Sequence, residues 1–281
     1  MEYSGVSVRS AFPYVEGMEI RVLGPLEVVS DGEPVSLGGP QQRLTLALLI
    51  AAEGRVVDAD TLADELWTDA APPGARNTVQ SYVSRLRSIV GDTLERVGSG
   101  YVLRTDDEAV DARRFGQLAA EGRGLIGSDP QRAAEVLREA LGLWRGHPYA
   151  DVDAAGLRTE ISRLDELRVQ AIEDRVEAEL ALGRHAELVP ELEVLTIEYP
   201  LRERFRSQQM LALYRSGRQA DALRAYQRTR DTLVEDLGID PSPALQELEG
   251  RILRDDPSLV GDVAPRGEAV AVLFSDLEDC T

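Results

Sequence analysis

The chain has 281 residues, with 31 basic against 50 acidic side chains and a formal net charge of −19. Every basic residue is arginine, which excludes a Schiff-base lysine, a phosphate-loop lysine and any lysine nucleophile. Two histidines and a single cysteine, Cys280, exclude a disulfide framework and a His/Cys-rich zinc site, so no metal or cofactor is expected.

The length suits about two domains of roughly 100–200 residues each. Residues 1–17 lack the basic start, apolar run and cleavage site of a signal peptide. They are expected to form a flexible leader, and the chain to be cytoplasmic. No apolar run approaches the ~18 residues of a membrane span. Residues 20–29, rich in β-branched side chains around Gly24-Pro25, predict a strand pair or a bent strand, and residues 34–37 another short strand after the Asp31-Gly32 turn. Residues 41–52 switch to helical spacing through Leu44, Ala47, Leu48 and Ala51, and Gly54 ends that helix. Asp58 or Asp60 can cap a second helix through Trp67. After a loop at 68–74, a third helix runs over 75–90, with Val79, Val83, Leu86 and Val90 as its buried stripe. Residues 94–97 and 101–103 read as a hairpin around Gly98-Ser99-Gly100.

From about residue 107 strand signals vanish. Helices are predicted over 112–126, 130–144, 154–183, 185–198, 202–216, 219–236 and 243–253. An internal repeat relates Leu182-Gly183-Arg184-His185-Ala186 to Ser216-Gly217-Arg218-Gln219-Ala220. The 34-residue step from Gly183 to Gly217 is the period of tetratricopeptide helix pairs. The expected fold class is therefore mainly α with a small β component. A winged helix-turn-helix domain over 18–106 is followed by an all-α, tetratricopeptide-like domain over 107–256. Residues 257–267 are expected to be a linker, and 268–281 the first strand of a further domain.

Strand, three helices and a glycine-tipped hairpin is the order of a winged helix, which raises nucleic-acid binding despite the acidity. The charge is partitioned: −1 over residues 1–17, −5 over 18–106, −9 over 107–260 and −4 over 261–281. Helix 75–90 nevertheless carries three Arg and no acid. Acids beyond a Debye length of about 8 Å are screened, so this local charge decides phosphate contact. Asn77, Ser81, Ser84, Arg85 and Ser88 fall on the face opposite the buried stripe. Short polar side chains let a helix lie deep in the major groove, and Arg can bind guanine bidentately. Arg76, Asn77 and Thr78 occupy the first turn, whose N–H groups favour phosphate. With Arg87 on the same helix and Arg96 and Ser99 on the hairpin, these are the candidate DNA-binding residues. The plainer alternative is a solvated polar helix face.

The residues make this more specific. Leu37, residues 40–43, 62–67, the stretch 77–87 (Asn-Thr-Val-Gln-Ser-Tyr-Val-Ser-Arg-Leu-Arg) and Gly98-Ser99-Gly100-Tyr101 resemble the DNA-binding domain of OmpR-type regulators. Residues 111–115, Leu143-Trp144-Arg145-Gly146, Leu164-Asp165-Glu166, Gly217-Arg218 and residues 237–242 resemble the bacterial transcriptional activation domain. In tandem they resemble AfsR/SARP-type regulators of actinobacteria over about 235 residues. The wing departs from the pattern: Val97 stands where Arg often precedes Gly-x-Gly-Tyr, with Arg96 one place earlier. The resemblance implies a recognition helix at 75–90 that reads promoter direct repeats as a head-to-tail pair. It also implies that loop 68–74 faces RNA polymerase holoenzyme, and that the helical domain modulates activation or dimerisation.

Residues 270–281 resemble the opening of class III nucleotide cyclases, with Asp276 in the place of the first metal-binding Asp. The rest of such a domain is absent from this sequence, and no enzyme is expected. Two other readings stay open from the residues: a protein-interaction scaffold, and the regulatory module of a larger cyclase. His147 and His185 lack a second ligand at metal-binding spacing. Trp67 and Trp144 lie on apolar faces and read as core.

Overall fold

The computed structural model describes residues 17–67 and 71–260. The chain divides into two compact units, Met1–Glu179 and Leu180–Thr281.

The first unit opens with strands β1 (Met18–Arg21), β2 (Glu27–Ser30) and β3 (Glu33–Val35), an antiparallel sheet in that order. Helix α1 (Pro40–Ala51) starts with Pro at its first position, where the missing N–H costs nothing. The Gln42 amide oxygen accepts the Gly39 N–H at 3.2 Å, completing the cap. Strand β4 (Val57–Asp58) leads into α2 (Ala59–Leu66), capped by Asp58, which accepts the Asp60 N–H at 2.9 Å. Helix α3 (Ala75–Val90) lies between two glycines with positive φ, Gly74 at 86° and Gly91 at 66°.

Strands β5 (Leu94–Val97) and β6 (Gly100–Leu103) then pair, with Val97 opposite Gly100, so Gly98 and Ser99 alone form the turn. Gly98 at φ 61° supplies the positive φ that such a tight hairpin needs. β4 pairs with β6 to give a second sheet of order β4-β6-β5, which the sequence did not announce because two residues carry no periodicity. The Gly100 Cα passes so near β4 that an added Cβ would lie 2.4 Å from the Val57 carbonyl oxygen.

Three further helices follow: α4 (Asp111–Leu125), α5 (Pro130–Gly142) and α6 (Arg158–Ala181). α5 stops two residues before the expected Trp144. That indole leaves the helix and meets Phe115 edge-on, ring centroids 5.3 Å apart, with the Arg168 guanidinium 4.8 Å above it. The predicted helix over 154–183 starts late, after a 3-10 turn at Ala155–Leu157.

Packing does not break at the expected boundary, 106/107. Val22, Leu23 and Leu26 are fully buried between β1 and β2, where no strand satisfies their backbone. Asp111, at the first position of α4, accepts the Val22 and Leu23 N–H groups at 2.7 and 3.1 Å. The Leu23, Val22 and Gly24 carbonyls accept from the N–H groups of Arg145, Tyr149 and Ala150 at 2.7, 3.0 and 3.2 Å. Asp151 accepts the Leu26 N–H at 2.7 Å and pairs with Arg43 of α1. One hydrophobic core runs from Met18 through Leu86 and Phe115 to Ala171. Burial pushes the Asp111 carboxyl up from its ordinary value, against the opposing pull of the two N–H groups and of Arg145.

The second unit contains α7 (His185–Glu198), α8 (Glu203–Arg215), α9 (Gln219–Leu237) and α10 (Pro243–Leu253). α8 packs between α7 and α9, as in a helical-repeat array. Gly183 and Gly217, the repeat glycines, take φ 76° and 73°. Residues 257–259, at the start of the expected linker, form a 3-10 turn. Leu259 is buried there, and its carbonyl accepts Arg215 Nε at 2.7 Å.

The His185 Nδ1 atom is buried without a hydrogen-bond partner among the described residues. Burial, and then Arg215, lower its pKa from 6.5. The unfolded chain therefore binds this proton more readily, so its contribution to stability is present above pH 6.5 and is lost as pH falls through the folded value. His185→Gln is expected to flatten the fall in melting temperature between neutral and mildly acidic pH. An unchanged slope would remove His185 as the cause.

Candidate nucleic-acid interface

Helix α3 buries Ala75, Val79, Val83, Leu86 and Val90 against the core. The stripe expected from the sequence thus fixes which face is left to solvent. Arg76, Asn77, Ser81, Ser84, Arg85, Arg87 and Ser88 are exposed, and Thr78 is half-buried. On the hairpin, Arg96 and Ser99 are exposed beside the turn.

The three α3 arginines are in different situations. Arg76 forms a two-pronged ion pair with Asp60 of α2, and that hydrogen-bonded carboxylate raises the pKa of the guanidinium. Arg87 donates from Nε to the Leu94 carbonyl at 2.9 Å, tying α3 to β5. Arg85 has no side-chain hydrogen bond or ion pair among the described residues. It overhangs a notch of about 400 Å³ lined by Gly39, Pro40, Gln41, Gln42 and Tyr82. The Tyr82 hydroxyl donates to the Gln41 amide oxygen and so links α3 to α1 beside the notch.

The small side chains make local bonds. The Ser88 hydroxyl donates to the Arg85 carbonyl at 2.6 Å, and the Thr78 hydroxyl to Gly74 at 3.5 Å. Arg96 Nε donates to the Gly98 carbonyl at 3.4 Å, within the hairpin. The Ser99 hydroxyl donates to Asp58 at 2.5 Å, a bond that holds the Asp58 carboxyl below the usual carboxylate range.

Asp58 and Asp60 therefore link the hairpin tip to the first turn of α3. They were legible in the sequence only as helix caps. Asp58 caps α2 with one oxygen and reaches Ser99 with the other, whereas both Asp60 oxygens go to Arg76, and no local signal reports either long-range bond. The notch residues Gln41 and Gln42 were missed likewise, because they meet Arg85 from another helix. Of loop 68–74, residues 68–70 lie outside the described residues, as do the leader at 1–16 and the cyclase-like stretch at 270–281. Among the described residues there is no cluster of His, Cys, Asp or Glu that could hold a metal, and no helix long and apolar enough to cross a membrane.

A winged helix with one arginine-bearing helix turned outward, followed by a helical-repeat region, defines a transcription-regulator architecture. The comparisons with known proteins agree. The family described as "Transcriptional regulatory protein, C terminal" matches residues 32–103, and "Bacterial transcriptional activator domain" matches residues 110–253. The chain is 43% identical over 246 residues to the regulatory protein AfsR of Streptomyces griseus, covering 87% of this chain and 25% of AfsR. It is 38% identical over 272 residues to the regulatory protein DnrI of Streptomyces peucetius, covering 91% of this chain and 100% of DnrI. The solved structure of Mycobacterium tuberculosis EmbR in complex with a low-affinity phosphopeptide superposes with a TM-score of 0.82 at 38% identity, covering 87% of this chain and 68% of EmbR. The chain belongs to the AfsR/SARP-type family of transcriptional regulators. It spans about a quarter of the length of the AfsR protein it matches.

Proposed function

We propose that this chain is a cytoplasmic transcriptional activator that binds promoter DNA through α3 and the β5–β6 hairpin. The observation that carries this reading is Arg85: an exposed guanidinium without a partner among the described residues, on a helix face that also carries Asn77, Ser81, Ser84 and Ser88. Small neighbours permit the close approach that base reading requires. Arg76, Thr78, Arg87, Arg96 and Ser99 lie around this face, where they would touch phosphate and sugar. In this reading two copies bind direct repeats head to tail, and loop 68–74 with the helical domain meets RNA polymerase holoenzyme.

The test is a titration of the full chain against genomic promoter fragments and random duplex at two salt concentrations. The expected result is preference for a subset of fragments, with affinity falling steeply as salt rises. Equal, weak binding to all duplexes would overturn sequence-specific recognition, and no binding to any duplex would point to a protein-docking module.

The Asp60–Arg76 pair makes a separate expectation. Both side chains are exposed, so solvent screens the pair and it adds little to stability. Asp60→Asn removes a negative charge beside the phosphate path and releases Arg76. Affinity for any duplex is expected to rise a few-fold at low salt, and the salt slope to steepen by about 0.9 for one added phosphate contact. A loss of affinity in this variant would show instead that Asp60 orients Arg76.

A further inference from the structure

The second unit carries an apolar surface that its own core does not use. On α7, Leu188, Val189, Leu192 and Leu195 face inward. The outward face is apolar as well. Pro190, Val194 and Ile197 follow at spacings of four and three, and Leu201, exposed as well, stands three residues past the helix end. Val194 is 61% exposed, Ile197 79% and Leu201 52%. Residues three and four apart stack along one side of a helix, so this is a stripe and not a scatter. Glu187, Glu191, Glu193 and Glu198 flank it, and α7 contains no arginine.

The end of α9 repeats the pattern. Val234, Leu237 and Ile239 are exposed, among Asp231, Glu235, Asp236 and Asp240, with no basic residue over 231–240. The last turn of α7 and the segment that follows α9 both meet the start of α8. Arg206 of α8 donates to the Thr196 carbonyl of α7 at 2.8 Å. The Glu203 carboxylate accepts the N–H of Ser242, just after α9, at 3.0 Å. Of the ten large hydrophobic residues exposed among the described residues, six are in these two runs. Single exposed apolar residues need no explanation, whereas a contiguous set with a polar rim marks an interaction site.

We propose that this face docks a basic amphipathic helix of a partner protein. Apolar side chains of the partner, at three- and four-residue spacing, would lie along Val194, Ile197 and Leu201, and its flanking Arg or Lys would meet the glutamates. Charge selects this occupant over a second copy of the chain, since a symmetric contact would set one acidic rim against the same rim. The proposal concerns the helical unit alone and stands whether or not α3 binds DNA.

The test uses the full chain and a labelled helical peptide with Leu at three- and four-residue spacing and Lys elsewhere, followed by fluorescence anisotropy. A second peptide replaces every Lys by Glu. The Lys peptide is expected to bind saturably and the Glu peptide not to bind. The double variant Val194→Ser/Ile197→Ser keeps the net charge and alters only exposed positions. It is expected to keep the helical circular dichroism and to weaken binding by about tenfold or more. Leu253→Ser, at an exposed apolar position outside the two runs, is expected to bind as the parent does. Failure of the Lys peptide to bind, or equal binding to the double variant, would overturn the proposal. So would a concentration-dependent dimer in sedimentation velocity that the double variant abolishes, which would make the second copy the occupant.

Discussion

An Arg85→Ala chain is expected to bind its preferred promoter fragment about 1–3 kcal/mol more weakly, roughly 5- to 150-fold, at matched salt. The reasoning starts from what each α3 arginine is already doing. Arg76 is engaged by Asp60 and Arg87 by the Leu94 carbonyl, whereas Arg85 has no side-chain partner among the described residues. Its neighbours one turn away, Ser81 and Ser88, are too short to hold the helix off a groove floor. If Arg85 reads a base, its loss falls on the preferred fragment and leaves binding to random duplex nearly unchanged. If it touches phosphate, both affinities drop and the salt slope falls by about 0.9. Arg87→Ala is the contrasting variant, expected to loosen the α3–β5 contact and lower the melting temperature more than it alters preference. An Arg85→Ala chain that binds and discriminates like the parent would remove α3 from the interface.

Asp111→Ala is expected to destabilise the first unit by roughly 2–5 kcal/mol, because two buried N–H groups, those of Val22 and Leu23, lose their acceptor together. Each orphaned buried donor costs about 1–3 kcal/mol, and no strand lies alongside Val22 and Leu23 to replace the carboxylate. Arg145, 3.8 Å from Asp111, also loses a nearby counter-charge but keeps Glu27 at 2.9 Å, so its share is minor. At about 2–4 °C per kcal/mol for a unit of this size, the melting temperature should fall by roughly 5–15 °C. Asp111→Asn keeps one acceptor oxygen and should lie between. Thermal denaturation followed by circular dichroism reads both. If each variant melts with the parent, the carboxylate is not what holds β1 to α4.

Much of this architecture was written locally. α3 runs over the residues that its apolar spacing assigns, because Gly74 and Gly91 mark its ends in the sequence itself. The hairpin tip was legible for the same reason, since Gly98 and Ser99 leave few other turns. What the sequence did not reveal depends on distance along the chain. Asp111 serves groups 88 and 89 residues away. Arg76 finds Asp60 across 16 residues, and Arg85 finds its notch only when α1 arrives. Trp144 fits the helical pattern of α5, yet it lies past the helix end, edge-on to Phe115. In the interface, composition named the surface residues; it did not say which arginines were already committed.

The continuous core from Met18 to Ala171 bears on how such a protein can be cut and recombined. Similarity divides the chain near residue 106, and that is where a gene engineer would place a fusion joint. A fragment ending there would lose Asp111, Phe115 and the 145–151 segment, and so expose Val22, Leu23 and Leu26 along one flank. The smallest transplantable DNA-reading part is therefore the unit ending within α6. On the reading proposed for α3, exchanging its outward residues is expected to swap operator preference between relatives with less damage than exchanging the winged helix.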